Sequence, residues 1–573
     1  KNGSLYLTTN FQESSQINKI SIGRGWSDTS PGVRIDEIAF AKVARHDRWI
    51  KATYDSQVPG NTFVNFGSMA GPPYFEDTRT GMAAKKGVNL TPFTPIAYGG
   101  GTLAYSAAGL PPGFSINSAN GEITGNTDEV GSSAFTVTVN GTNAAGVNRS
   151  VSQSYTLKVT DPASYPFQLP LTLSGYTGSS SLSQFPVLIE LNSSITGFSY
   201  NSFQSPKGDD LRFFTSDGEE LPYEIETWNL SGTSRIWVRS GIISGNSTVI
   251  TAAWGKSTDS SSPSYVADKS AWSNGYHGAW HFQNLIGSAL ADSSPKNHQG
   301  TAEGDGVSVT AGQVGQGVTL DGSDDLVNLG RSAGNPGSVF TVSFWAKMTA
   351  GANINEGDRL FSNKSSNNGT AGWNLYKGST STTRLYLKTS GSQARYKTAV
   401  NQWNNGNWYH LAVAINGSTG ATFYKNGSTL GTTDSVNLTV DSTEDLLLGD
   451  APYSNTEWKG SFDEVRIATG LRSADWIKAA YDNQKSSPSL VSYGTVSGPR
   501  IITSPLSATA TAGASFTYSI TAVGSPNSYT VLNLPGGLQF GDSNGSIWGS
   551  PISAGVYPVS LIAGYANDDG NIT

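Results

Sequence analysis

Three glutamates that lie close together in the chain have the types and spacing needed for hydrolysis. Glu220, Glu224 and Glu226 fall in one segment, and Glu224 and Glu226 share a face of a predicted strand because side chains alternate between faces. A glycosidase needs two carboxylates roughly 5–10 Å apart on either side of the scissile bond. The alternative interpretation is a pair of solvated strand-face carboxylates. We favour it, because the chain has no strand with the pattern Glu-x-Asp-x-x-Glu, and we predict no catalytic residue and no enzymatic activity.

Two histidines, His277 and His281, are four positions apart and would form a metal pair on a helix. The alternation of Trp280 and Phe282 predicts a strand instead. Residues four apart on a strand lie roughly 13 Å from each other, which is too far for one ion. We therefore expect both histidines to be structural.

Oxygen ligands for calcium are offered by an acidic cluster at Asp321, Asp324 and Asp325. The alternative is a hydrated hairpin in which these carboxylates face water. Aromatic side chains in loop-like segments could stack on sugars, or could fill a core, and the sequence does not separate the two. These aromatic residues are Trp373, Tyr376, Tyr386, Trp403, Tyr453 and Trp458.

The composition is typical of an all-β protein. Among 573 residues, 67 are glycine and only 14% are charged, and short apolar runs alternate with turn-forming residues. The chain has no cysteine, which excludes disulfides and a cysteine nucleophile. The net charge of −7 argues against a nucleic-acid partner, which needs a basic face. No apolar run is long enough to span a membrane.

The chain repeats itself with a period of 427 residues. Residues 35–40 and 49–55 recur as residues 462–467 and 476–482, both at the same offset. Such a repeat predicts a tandem array of domains. We expect the chain to begin inside one copy of a domain whose complete copy comes later. It is then either a segment of a longer protein, which we favour, or a subunit whose end domains are completed by strands from another molecule.

A second repeat resembles a known family. The sequence Leu-Pro-Pro-Gly-Phe at 110–114 precedes Asn-Gly-Glu-Ile-Thr-Gly at 120–125, and similar sequences occur at 534–538 and 544–549. The Asn-Gly pair is a strong hairpin signal. Both copies resemble the immunoglobulin-like repeats of bacterial surface proteins, which serve as spacers and adhesion modules. The resemblance implies an immunoglobulin-like domain at 72–162 and a partial one at 498–573.

Two further segments resemble known families. Residues 208–213, 221–228 and 236–238 are similar to an uncharacterised β-sandwich family of exported bacterial proteins, which implies such a domain at 163–275 and no known catalysis. That family commonly precedes laminin-G-like domains. Residues 276–494 resemble a laminin-G-like (concanavalin-A-like) domain, and residues 1–68 resemble the C-terminal part of another. The matching segments of 276–494 are residues 278–282, 320–327, 340–345, 408–413, 423–427 and 460–467.

The laminin-G-like resemblance implies a jelly-roll sandwich, so the expected fold class is all-β, with tandem jelly-roll and immunoglobulin-like sandwiches. It also implies a structural calcium ion. Asp463 on the final strand and Asp292 near the first strand occupy the matching positions, and Asp36 is the counterpart of Asp463 in the partial copy.

These resemblances lead to one preferred function and two alternatives. We expect a structural or adhesive segment of a large exported bacterial repeat protein, which forms a stalk, fibre or filament outside the cell or at its surface. Its partners would be other copies of itself or neighbouring repeats, and surface glycans or matrix proteins. The first alternative is a calcium-dependent module that binds glycans or proteins. The second is an accessory region of a glycan hydrolase.

Overall fold

The structure is a computed structural model, and it describes most of the chain from residue 72 onward. The described residues are 72–76, 79–142, 146–350, 359–364, 371–377, 385–388, 394–397, 406–432, 442–451, 457–498, 502, 504–522, 526 and 528–564. The predicted partial domain at 1–68, and Asp36 within it, lie outside the described residues.

The first immunoglobulin-like domain has eight strands. They are β1 (Tyr74–Phe75), β2 (Gly81–Lys85), β3 (Ala97–Tyr98), β4 (Gly100–Ala108), β5 (Phe114–Ile116), β6 (Ile123–Gly125), β7 (Gly131–Thr142) and β8 (Asn148–Thr160). Four strands form a sheet in the order β2-β8-β7-β4, with β2 parallel to β8. The alternating residues Phe135, Val137, Tyr155 and Leu157 are buried beneath this sheet, as a half-buried strand pair requires.

The repeated glycines of this domain mark a place where two backbone segments cross closely. A Cβ atom on Gly125 would lie 2.0 Å from the carbonyl oxygen of Gly113, and φ at Gly125 is +129°. Gly549 and Gly537 have the same relation in the second copy, at 2.3 Å and φ of +130°. Only glycine fits such a crossing without steric conflict. The glycine spacing seen in the sequence therefore follows from this one contact.

In its described residues, the middle sandwich has two main sheets and one two-stranded sheet. Its strands are β9 (Phe167–Thr172), β10 (Leu182–Ser183), β11 (Pro186–Leu191), β12 (Arg212–Thr215), β13 (Tyr223–Thr227), β14 (Ser234–Arg239), β15 (Ile242–Ile243) and β16 (Val249–Trp254). One main sheet has the order β11-β14-β13, the other contains β12-β16-β9, and β10 pairs with β15 in the two-stranded sheet. Short helical turns lie at Pro162–Ser164, Tyr200–Ser202, Ser257–Asp259, Ser270–Trp272 and α1 (Ser264–Ala267).

The laminin-G-like domain contains two eight-stranded sheets. Its strands are β17 (Tyr276–Trp280), β18 (Ala289–Leu290), β19 (Gly300–Glu303), β20 (Ser308–Ala311), β21 (Gln316–Asp321), β22 (Leu326–Asn328), β23 (Val339–Met348), β24 (Arg359–Ser362), β25 (Asn374–Lys377), β26 (Leu385–Lys388), β27 (Ala394–Lys397), β28 (Trp408–Asn416), β29 (Gly420–Lys425), β30 (Ser428–Thr432), β31 (Leu447–Leu448) and β32 (Lys459–Thr469). Its helices are α2 (Gly330–Ala333) and α3 (Ala474–Gln484).

The two sheets of this domain have simple orders. One is β20-β21-β32-β23-β28-β29-β30, with β17 also paired to β32, and the other is β18-β19-β22-β31-β24-β25-β26-β27. Both contribute to one apolar core that includes Trp280, Phe344 and Phe462. The predicted all-β class, with tandem sandwiches, is confirmed.

The middle sandwich and the laminin-G-like domain are joined by a shared core. One apolar cluster contains Phe185 and Trp237 from the first together with Ala412, Trp476 and Ile477 from the second. The chain then returns to the middle sandwich, where strand β33 (Ser492–Tyr493) pairs with β9. The two domains therefore share both a hydrophobic core and a β-sheet.

The second immunoglobulin-like copy has strands β34 (Phe516–Ser519), β35 (Ser528–Leu532), β36 (Leu538–Gly541), β37 (Ser546–Gly549) and β38 (Ser560–Gly564). Its Tyr529 ring lies against Gly545, as the Tyr105 ring lies against Gly121 in the first copy. None of the helices in the described residues has the length and hydropathy of a membrane-spanning segment.

The edge of β11, which α3 covers, yields a stability prediction. β11 is an edge strand, and Asn483 of α3 covers it, since its Oδ1 accepts from Leu188 N at 2.7 Å and its Nδ2 donates to Leu188 O at 3.1 Å. Asn483→Ala leaves both buried backbone groups unpaired, and each unpaired group costs about 1–3 kcal/mol. We expect the free energy of unfolding to fall by about 2–4 kcal/mol, measured by urea denaturation with tryptophan fluorescence.

The control is Asn246→Ala, at an exposed turn of the same sandwich. Equal stability of the two variants would contradict a role for Asn483 in holding the domains together.

Candidate functional site: a buried charged cluster between two domains

The charged cluster lies where strand β13 of the middle sandwich meets the laminin-G-like domain. β13 is an edge strand, and it carries Glu224 and Glu226 on one face. Across from it, His281 follows the end of β17, and Glu464 and Arg466 lie on β32. Five ionisable side chains from two domains are thus brought together by the junction.

A β-bulge aims Glu464 into this cluster. The pairing of β23 with β32 shifts register between Ser343 and Trp345, and Glu464 has φ of +50°. A bulge leaves one residue out of the ladder and redirects its side chain. Asp463 and Glu464 are both buried, as is every residue of β32 from Gly460 to Ala468.

His281 stands at the centre of the cluster. Its Nδ1 lies 2.8 Å from Glu464 Oε1 and 3.9 Å from Glu226 Oε2, and its Nε2 lies 3.7 Å from Glu224 Oε2. The side chain of His281 is only 5% exposed, and those of Glu226 and Glu464 are 1% exposed. Arg466 donates to Glu464. Ions buried to this degree need close counter-charges, and here each has one.

Neutral donors complete the coordination of the carboxylates. Trp237 Nε1 donates to Glu226 Oε2 at 2.5 Å, and Gln283 Nε2 donates to the other oxygen of Glu226. Ser293 Oγ donates to Glu224 Oε1 at 2.6 Å, and Trp272 Nε1 donates to Glu224 Oε2. Buried polar groups are normally satisfied in this way.

Two tryptophans pack against the cations of the cluster, while the Glu224 side chain stays 28% exposed. The Arg466 guanidinium lies 4.3 Å from the Trp237 ring centroid and 4.7 Å from that of Trp272. The Trp237 ring also stacks on His281, at 5.6 Å between centroids and 18° between planes. Cations over indole faces are attracted by the ring quadrupole, and more strongly when desolvated. Both cations of the cluster therefore gain from the same two rings.

The environment shifts the pKa of each acid in a definite direction. Burial raises the pKa of Glu226 to about 8, despite the positive charge of His281. Burial and then the charge of Glu464 hold the pKa of Asp463 well above its usual range. Burial opposes ionisation of Glu464, but the charges of His281 and Arg466 outweigh it and lower its pKa. Glu226 therefore keeps its proton at neutral pH, while Glu464 is ionised.

His281 and Glu224 complete the balance. Burial opposes protonation of His281, but the negative charges of Glu464 and Glu224 raise its pKa well above the usual value. Burial likewise opposes ionisation of Glu224, but the positive charge of His281 and the hydrogen bond from Ser293 lower its pKa. Two cations, His281 and Arg466, then face two anions, Glu224 and Glu464, so the buried cluster is close to neutral.

The expectation that Glu224 and Glu226 are solvated strand-face carboxylates was wrong. Both face a second domain, and the sequence of β13 alone could not show this because its apolar partner residues suit either an exposed or a covered edge. Their oxygens are bound by Trp272, Trp237 and Ser293.

The two histidines of the sequence motif have separate surroundings. His277 Nε2 bonds to Ser332 O at 2.8 Å, and its ring lies 4.8 Å from that of His298. It therefore does not pair with His281 in the structure. The spacing of the two histidines gave no sign of the glutamates around His281, because these glutamates come from distant parts of the chain.

Asp292 and Asp463, two of the residues predicted to hold calcium, are buried, and backbone amides bind their carboxylates. Asp292 accepts from Ala279 N and Ser294 N through Oδ1 and from His298 N through Oδ2, at 2.6–2.9 Å. Asp463 accepts from Val314 N at 2.7 Å. The structure does not bring Asp292 and Asp463 into one group, and the calcium assignment stays a prediction.

Two sets of side chains in the described residues have ligand atoms within 4.8 Å of one another. One is Glu226, His281 and Glu464 in the cluster, and the other is the exposed set Asp305, Asp321 and Asp324. Asp325, predicted as part of the second set, is instead buried and accepts from Gly306 N at 2.9 Å and Asp321 N at 2.7 Å. It holds the loop that carries Asp305 against the loop that carries Asp324.

Of the six aromatic residues considered for sugar stacking, the structure describes the side chains of three, and two of these lie in the core. Trp373 and Trp458 are buried in the core, at 1% and 0% exposure. Arg359 lies over the Tyr376 ring at 4.5 Å. The side chain of Tyr386, and Trp403 and Tyr453, lie outside the described residues.

Family models match three kinds of segment. Residues 321–478 match the model described as "Concanavalin A-like lectin/glucanases superfamily". Residues 77–160 and 498–572 match "Putative Ig domain", and residues 207–269 match "Domain of unknown function (DUF2341)". The three predicted domain types are therefore confirmed. No curated protein matches the chain.

Solved structures align with about a third of the chain. Domain 4 of AbnA, a GH43 extracellular arabinanase from Geobacillus stearothermophilus, is 19% identical, and the alignment covers 37% of this chain and 98% of that one at a TM-score of 0.30. The binding domain of Paraclostridial Mosquitocidal Protein 1 is 16% identical over 36% of this chain and 52% of that one, at 0.29. This chain thus spans about half the length of the toxin domain. At these TM-scores the alignments carry no argument about what the chain binds.

The cluster predicts a stability that falls as the pH rises. The contribution of His281 is complete below about pH 6.5 and is lost as the pH rises through its raised pKa. The native state also keeps the Glu226 proton between about pH 4.5 and 8, so unfolding becomes easier across that window. The variant Glu226→Gln removes the contribution of Glu226 to this pH dependence, because glutamine does not ionise. We expect its stability to fall less steeply with pH than that of the wild type, by up to about 1.4 kcal/mol per pH unit.

The measurement is urea denaturation at pH values from 5 to 9, with Glu129→Gln at an exposed site of the first domain as the control. A wild type whose stability does not decline above pH 6.5, or a Glu226→Gln variant with an unchanged slope, would rule out this proton balance.

Proposed function

We propose that this chain is a structural and adhesive segment of an exported repeat protein, in which the laminin-G-like domain is held rigidly on a stalk of sandwiches. The observation that supports this most directly is the junction cluster together with the shared core. A domain linked to its neighbour only by a flexible connector would need neither buried ion pairs nor a common sheet. Inter-domain motion is the usual expectation unless the interface is large and apolar, and here residues of the two domains form one apolar core.

A second joint supports the proposal on the other side of the middle sandwich. Lys158 Nζ lies 2.7 Å from Glu220 Oε2, and Thr160 Oγ1 donates to Gly218 O at 2.6 Å in a buried contact. Tyr265 OH also donates to Glu220, at 2.9 Å. The first immunoglobulin-like domain is therefore docked on the middle sandwich. In a tandem array, such joints repeat and give a long object in which each domain contacts its neighbours.

The domain types support a location outside the cell. Laminin-G-like and immunoglobulin-like sandwiches are common in surface and extracellular proteins, and the absence of cysteine does not oppose this, since disulfides are not obligatory there. Other copies of the chain, neighbouring repeats, and surface glycans or matrix proteins are the partners we propose.

We propose a binding and structural role in preference to a hydrolytic one. Glu224 and Glu226 are the carboxylate pair that the sequence offered for glycoside hydrolysis, and the hydrogen bonds of Trp237, Trp272 and Ser293 occupy their oxygens inside the junction. A glycosidase needs its carboxylates beside a sugar, on opposite sides of the bond to be cleaved.

Rigidity of the stalk can be measured with spin labels, because the chain has no native cysteine. Exposed positions suited to labelling are Val130 in the first domain, Ile242 in the middle sandwich and Ile286 in the laminin-G-like domain. We expect narrow distance distributions in pulsed electron–electron double resonance, both for the Val130–Ile242 pair and for the Ile242–Ile286 pair. The double variant Lys158→Glu, Thr160→Ala should broaden only the first, since it places like charges together and removes a buried bond.

The second label pair is the internal control for that variant. A broad Ile242–Ile286 distribution in the unaltered chain would overturn the rigid-stalk proposal.

Calcium-dependent binding of glycans or proteins is the second candidate function. It is favoured by the match to the concanavalin-A-like superfamily and by the exposed oxygen ligands of Asp305, Asp321 and Asp324. On a glycan array, we expect binding with calcium that falls when a chelator is added. The variant Asp321→Asn, Asp324→Asn should reproduce the chelator effect, and Asp128→Asn, exposed in the first domain, should not. An absence of binding in both conditions would count against this function.

A further inference from the structure

A cavity opens between the middle sandwich and the chain segment that returns from the laminin-G-like domain. Its volume is about 160 Å³. Glu190, Asn192 and Ile195 line it from the middle sandwich, and Pro488, Val491 and Tyr493 line it from the returning segment. Because both domains contribute walls, the cavity exists only when they are joined.

Hydrogen bonds between the two walls fix the shape of the cavity. Glu190 N donates to Tyr493 OH at 2.8 Å, and Tyr493 belongs to the strand that pairs with β9. Asn483, which covers the edge of β11, also lines the cavity. Rigid walls of this kind reduce the ordering cost that a ligand must overcome on binding.

The charges of the lining favour a neutral ligand. Glu190 Oε1 pairs with Arg235 Nε at 3.1 Å, so the carboxylate is already compensated. Asn192 Oδ1 accepts from Ser194 N at 3.0 Å and from Ser194 Oγ at 2.5 Å. The Glu190 side chain is still 30% exposed, so it can accept hydrogen bonds from hydroxyl groups without losing Arg235.

The apolar lining favours a ring. Ile195, Val491 and Pro488 offer flat hydrocarbon surface beside these polar groups. A cavity of about 160 Å³ is close in volume to an engineered cavity of about 150 Å³ that binds benzene, so one six-membered ring is of suitable size. Small-molecule sites combine apolar walls with a few placed polar groups, and a sugar has apolar faces and polar edges.

We propose that this cavity binds one neutral sugar ring, as the terminal unit of a surface glycan. The inference deepens the proposed adhesive function and rests on it. It places the contact at the joint between the two domains, away from the exposed aspartates of the laminin-G-like domain.

The test uses the full chain and a panel of methyl glycosides of neutral hexoses and pentoses. Saturation-transfer NMR detects binding, and isothermal titration calorimetry measures it. Ile195→Trp fills the cavity, and we expect at least one glycoside to lose about tenfold or more in affinity, which corresponds to about 1.4 kcal/mol. Ile242→Trp makes the same change at a site that is 66% exposed, and should bind as the wild type does.

A second variant guards against misfolding of the first. Glu190→Gln keeps the volume and the backbone bond to Tyr493 but weakens the acceptor, and should lower affinity with only a small loss of stability from the weakened, partly exposed pair with Arg235. The proposal is overturned if no glycoside binds the unaltered chain, or if Ile195→Trp and Glu190→Gln both bind normally. Array binding that survives both variants would leave the adhesive function standing and place its contact elsewhere.

Discussion

The buried pairing of Glu224 and Glu464 with His281 and Arg466 is the interaction on which the rest of this structure depends. It unites an edge strand of one sandwich with the bulged strand of the next. Desolvating these charges is costly, and the cost is met only when both domains supply their partners. Loss of any one partner leaves an uncompensated ion in the core, so the pairing acts as a requirement for the correct docking of the two domains.

Around this charged cluster, apolar contacts and backbone pairing also hold the two domains together. The core shared by Trp237, Trp476 and Ile477 adds favourable apolar burial, while β33 and Asn483 pair with the edges of two sheets. Exposed sheet edges invite association with other chains. The edges of β9 and β11 are covered by the segment that returns from the laminin-G-like domain.

The fold was largely predictable, because strand alternation and turn residues are local signals. The spacing of Gly113 and Gly125 is explained by one steric contact, the close approach of the two backbones. The charged cluster was not predictable, because it depends on contacts between residues that are far apart in the sequence. His281 and Glu464 meet across 183 positions, and the bulge that aims Glu464 depends on strand pairing rather than on sequence. The glutamates of β13 were visible as a pair, but nothing local indicated that a second domain would cover them.

The return of the chain to the middle sandwich also constrains when that sandwich can be finished. Asn483 lies 295 positions after the strand residue it covers, and Ser492 lies 320 positions after Thr172 on β9. Contacts so distant in sequence form late, since the intervening chain must first be ordered. A growing or translocating chain therefore exposes the open edges of β9 and β11 until the whole laminin-G-like domain has emerged. Newly made copies of the middle sandwich therefore have unpaired strand edges for a time, whereas in the folded protein these edges are paired.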